Sequence, residues 1–162
     1  MVQLFLVLHV LGAIFVFGPT LAFTFLASET RRMPQHGHFA AVVGDAIERK
    51  LVLPGAIVQG ITGVCLILVI GVDLTSSAWR WLIGAIVLYL IAIVYAIAVQ
   101  APAAAKMVEL TATPPPAAAA GAVPSGPPPE IAATARKLAR GGQFLTVLIV
   151  LIVILMVTKP VS

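Results

Sequence analysis

Three side chains able to hold a soft metal or a haem iron stand in apolar surroundings: the imidazole of His9, the thiol of Cys65 and the thioether of Met156. An ionisable group inside an apolar stretch is costly and needs a reason. His9 sits in "LHVLGAIFVFGPT", residues 8–20, with no charged side chain before Glu29. Helical spacing puts Ala13, Val16 and Thr20 on its face with Gly12 beside it, which leaves room for a large flat group. Neutral imidazole ligates haem iron and copper. The plainer alternative is a hydrogen bond to a neighbouring helix. His9, Cys65 and Met156 together would form a soft set suited to copper(I), although Met and Cys also serve as ordinary core fillers.

The remaining imidazoles, His36 and His38 in "HGH", fall beside Arg31 and Arg32. They lie at the opposite end of the first apolar segment from His9, so a haem held by two histidines of one chain is excluded. Haem on His9 would need an open axial position, a methionine or a partner's ligand. A metal at His36 and His38 would need Asp45 or Glu48 as a further ligand, brought there by a folded-back loop; a solvated loop is the plainer reading. No carboxylate pair, glycine-rich phosphate loop or nucleophile–base pair is visible, so ordinary acid–base enzymology finds no machinery. No intramembrane relay of acidic residues and histidines is expected either.

The elements that must position these groups follow from composition. Of 162 residues 60% are hydrophobic and 10% charged, far from the roughly 25% charge of a soluble domain. Mean hydropathy is +1.10. A bilayer crossing takes about 20 mainly apolar residues. Residues 2–27, 51–72 and 81–100 meet that need without one Asp, Glu, Lys or Arg, and residues 141–158 make a shorter fourth span. The fold class expected is all-α: one polytopic membrane domain over residues 1–162 with four transmembrane helices. No basic residue precedes Arg31 and the first apolar run is long, which predicts a retained helix rather than a cleaved signal peptide.

Eight of the ten basic residues lie in the connections after the first and third spans, against Arg80 and Lys159 on the other side. Such asymmetry predicts long loops in the cytoplasm and both termini outside. The basic charge therefore reads as a topology signal and not as a nucleic-acid footprint. The lone cysteine excludes an internal disulfide. From about Phe39 the first connection should turn helical and run into the second span, where Pro54 costs a hydrogen bond or a kink. Gly18-Pro19 should kink the first helix. Residues 111–130 hold seven of the twelve prolines and read as an extended Pro/Ala spacer. Glu130 to Arg140 suggests a short interfacial helix, after which Gly141 and Gly142 turn the chain into the membrane. Gln59, Thr62 and Tyr89 can bond neighbouring helices, the small residues Gly55, Gly60 and Gly63 favour close packing, and Trp79 with Trp81 suits an aromatic belt.

The segments "LHVLGAIFVFGPTLAFTF", "ERKLVLPGAIVQGITGVCLIL" and "WRWLIGAIVLYL" resemble an uncharacterised bacterial family of predicted four-helix integral membrane proteins, known as a domain of unknown function. The resemblance covers roughly the first hundred residues. More distantly the pattern is similar to the membrane-bound protoporphyrinogen oxidase and copper-resistance D families, which share an early histidine and a basic-Leu…Pro…Gly approach to the second helix. The porphyrin-oxidising resemblance implies haem b on His9. It also implies a lysine shortly after a Trp in the third helix, where this chain has Gly84 and Ala85. That departure argues against the oxidase activity. The expectation is thus a non-catalytic membrane protein, a small accessory subunit packing against other membrane subunits or itself. A haem- or porphyrin-binding redox protein using His9 is the alternative, and copper handling through His9, Cys65 and Met156 the third.

Overall fold

The computed structural model describes residues 1–112 and 126–160, so most of the Pro/Ala spacer lies outside the described residues. Four helices long and apolar enough to cross a membrane run along Val2–Arg32, Pro34–Ile70, Ser77–Ala112 and Pro129–Thr158. No strand forms among the described residues.

Helix α1 (Val2–Arg32) is continuous and contains Pro19 in its interior. Where a helix offers its hydroxyls few other partners, they can turn back on the helix itself, as those of Thr20 and Thr30 do here. Thr20 Oγ1 donates to the Val16 carbonyl at 2.9 Å and Thr30 Oγ1 to that of Leu26 at 2.8 Å. After a single 3₁₀ turn, α2 (Gly37–Ile47) leads into α3 (Leu53–Ile70) as the sequence suggests, but through a π-helical segment, Glu48–Val52. There the Leu53 N–H reaches back five residues to the Glu48 carbonyl. Pro54, which has no N–H to donate, follows directly, so the lost bond is absorbed by widening the helix.

Gly71, with φ +73°, takes the left-handed position that closes α3. In the turn beyond it the Asp73 carboxylate accepts from the Thr75 hydroxyl at 2.7 Å and its N–H at 2.9 Å. Those bonds hold the exposed Asp73 carboxyl below the usual carboxylate range. Helix α4 (Arg80–Tyr95) continues into α5 (Ala101–Ala112) through a second π-helical segment, Ala96–Gln100, again with a proline, Pro102, two residues after it. The third helix therefore does not stop at Gln100.

Helix α6 (Pro129–Thr158) is one uninterrupted helix, which corrects the expected turn at Gly141 and Gly142. Gly141 serves packing instead. A Cβ there would collide with the Gln100 amide, and would stand 3.0 Å from the Tyr95 hydroxyl. Gln100 Nε2 donates to the Leu138 carbonyl at 3.3 Å, and Tyr95 packs on Phe144 at 4.8 Å between ring centres.

In the bundle α1 pairs with α3 and α4 with α6, α6 also touches α1, and at the basic end α5 lies against α2 and α6. The interior is built from Val16, Leu82, Ala85, Leu145, Leu148, Ile149 and Ile152. Large side chains such as Phe25, Leu68 and Val157 point outward, as a protein surrounded by hydrocarbon requires. At the opposite end Trp79 and Trp81 lie 5.8 Å apart, and the Lys159 ammonium stands 6.0 Å from the Trp81 ring centre.

Candidate functional site

Helix α3 carries its polar residues on one face. Gln59 and Thr62 of α3, with Glu48 and Val52 of the π-helical segment before it, are all buried and follow one another at four, seven and three residues, close to whole helical turns, in one stripe. The upper part of this stripe receives His9. The ring's Nδ1 lies 3.0 Å from Thr62 Oγ1, and its Nε2 lies 3.1 Å from Gln59 Nε2. The Thr62 hydroxyl in turn donates to the Gln59 carbonyl at 3.0 Å. Because an amide nitrogen only donates, the network assigns the ring proton to Nδ1, which donates to Thr62, while Nε2 accepts from Gln59.

The close approach of α1 and α3 that permits this requires glycine on both sides. A Cβ on Gly63 would come within 3.2 Å of His9 Cε1, and one on Gly12 within 2.5 Å of Gln59 Oε1. A second polar tie joins α3 to α4, where the Tyr89 hydroxyl donates to the Ala56 carbonyl at 2.6 Å. Gln59, Thr62 and Tyr89 therefore all do what their types suggest.

The structure brings His9 to Gln59 and Thr62, and its hydrogen bonds include neither Cys65 nor Met156. Both of those side chains are half-buried, on α3 and α6 respectively. With both ring nitrogens engaged, a haem iron or copper ion on His9 would have to displace Thr62 or Gln59. His36 is exposed, and His38 Nδ1 lies 3.1 Å from Thr111 Oγ1 rather than beside an acid. No group of three or more His, Cys, Asp or Glu side chains suited to a metal gathers among the described residues.

The lower part of the stripe holds what sequence reasoning missed. Glu48 is only 4% exposed, whereas the sequence offered it only as a further ligand for a metal at His36 and His38. Its Oε1 has no hydrogen-bond partner, and among the described residues Gln59 Oε1 is in the same condition. Asp45 and Arg49 pair with each other at 2.9 Å, which leaves Glu48 without the neighbouring guanidinium. Glu48 and Gln59 line one central cavity of about 70 Å³, together with Gln100 of the second π-helical segment and Thr20. The signal that could have found Glu48 was present in the sequence. Counting back from Thr62 and Gln59 at helical spacing through Val52 arrives at it.

Four apolar helices, a lipid-facing shell and an interior tied by neutral polar groups define a multi-pass integral membrane protein. The chain belongs to the family described as "Predicted integral membrane protein (DUF2269)", whose model matches residues 3–160. The family match thus extends well past the first hundred residues and through the fourth helix. No curated protein and no solved structure matches the chain.

Proposed function

We propose that this protein is a non-catalytic membrane component, a small accessory subunit that packs against other membrane proteins. The observation that carries this reading is the closed bonding of His9. Both ring nitrogens are committed to Thr62 and Gln59 within the bundle, so the one imidazole inside a span acts as a helix tie. In this reading the chain lies in the bacterial inner membrane with both termini outside and the basic connections in the cytoplasm, supported by the eight-to-two distribution of Lys and Arg.

The experiment is purification in mild detergent from the native host, followed by native mass spectrometry and by absorption spectra before and after dithionite. The expected result is a colourless protein carrying another membrane subunit at fixed stoichiometry. A Soret band that moves on reduction and vanishes in His9→Ala would overturn the proposal in favour of a haem protein.

A further inference from the structure

The interior cavity poses a chemical mismatch that the packing role does not use. Glu48 lines it as a buried carboxyl with one oxygen unpartnered, and Gln59, whose buried Oε1 is also unpartnered, lines it too. Both lack donors. Burial favours the neutral acid, so an ionised Glu48 needs a cation or several donors, and leaving it unmet costs far more than an ordinary unmade bond. No lysine or arginine lines the cavity, and residues 113–125 contain neither. The remaining wall is mostly apolar, contributed by Val16, Val52, Ala56 and Ile149 among others.

Glu48 and Gln59 lie about 16 Å apart along their helix at 1.5 Å per residue, so the polar groups are spread out rather than gathered. A hard metal ion would need about six converging oxygens, which this wall does not offer. A cation that brings its own apolar body matches it. Two π-helical segments, Glu48–Val52 and Ala96–Gln100, each contribute a polar residue to the same cavity. Such widenings frequently mark functional sites.

We propose that the cavity binds a primary ammonium group carrying a short apolar chain, with Glu48 as its counter-ion. The ammonium supplies the donors that Glu48 lacks, and the chain lies along Val16, Val52 and Ile149. A free alkylamine and the ethanolamine headgroup of a lipid share this chemistry. The site does not depend on the accessory-subunit reading, and a Soret band would leave it untouched.

The test uses the full chain in lipid-free detergent, titrated with n-butylammonium and, in parallel, with its neutral counterpart 1-butanol. Calorimetry and the thermal midpoint read from Trp79 and Trp81 fluorescence report binding. Saturable stabilisation by the amine but not the alcohol is expected. The apparent affinity should fall about tenfold or more in Glu48→Gln and be partly kept in Glu48→Asp, since a lost charge pair of this kind is worth at least one decade. Equal effects of amine and alcohol, or amine binding unchanged in a folded Glu48→Gln, overturn the proposal. Should Glu48→Gln fail to fold, the comparison of amine with alcohol on the unmodified chain decides it. Nanodiscs then separate the sources. If phosphatidylethanolamine discs abolish the amine effect seen in phosphatidylcholine discs, the headgroup is the occupant; an equal effect in both assigns a free amine.

Discussion

An imidazole with both nitrogens bonded contributes through what its removal would leave behind. His9→Leu strands the Gln59 amide and takes from the Thr62 hydroxyl its donor, leaving that hydroxyl only its bond to the Gln59 carbonyl. Interhelical hydrogen bonds in membranes average about 0.6 kcal/mol and reach about 1.7 kcal/mol. With two bonds lost and the Gln59 amide orphaned, the expected destabilisation is about 1–3 kcal/mol, read from unfolding in mixed micelles. A double-mutant cycle sharpens this. His9→Leu with Gln59→Leu should show a coupling of about 0.5–2 kcal/mol, whereas His9→Leu with Tyr89→Phe, which share no partner, should add within about 0.5 kcal/mol. Coupling in the second pair as large as in the first would mean that the two ties are not separate. Residue types alone revealed His9, Gln59, Thr62 and Tyr89 as the polar groups of the spans. Which of them would meet was illegible, because the meeting depends on the depth at which α1 passes α3, and that depth is set by Gly12 and Gly63.

Among elements, spans were easier to read than their ends. Length and hydropathy identify four crossings, but the helices run on past the apolar runs, α1 to Arg32 and the third helix to Ala112. A charged or proline-bearing extension looks like a loop when judged by polarity alone. It stays helical here because α2, α5 and the first turns of α6 have one another to pack against. The glycine pair in α6 misled for a related reason, since two adjacent glycines signal a turn unless packing requires one of them. Substitution separates the two positions. Gly141→Ala should destabilise by about 1–3 kcal/mol, because the added methyl meets Gln100 and Tyr95. Gly142→Ala has nothing within 4 Å to meet, and should stabilise by about 0.5–1 kcal/mol through helix propensity. Thermal unfolding of both variants checks the pair, and destabilisation of equal size at both positions would favour a turn over a continuous helix.

For the whole molecule the decisive property is orientation, which charge asymmetry implies. In a Cys65→Ser background, a cysteine placed at Thr75 should react with a membrane-impermeant maleimide in intact cells, and one placed at Gln35 only after permeabilisation. The reverse pattern would invert the proposed topology, and labelling of both in intact cells would refute a single orientation. The two π-helical segments bear on the molecule at this scale too. Each inserts one residue into an otherwise regular ladder, at the seam between the part facing hydrocarbon and the part facing α2, α5 and the start of α6. One residue of helix turns everything beyond it by about 100°. The face each helix shows to lipid and the face it shows to its neighbours at the basic end are thus chosen independently, with the inserted residue as the offset between them. A single-residue deletion in either segment would mend the backbone ladder locally, yet swing the whole basic end out of register with the bundle beneath it.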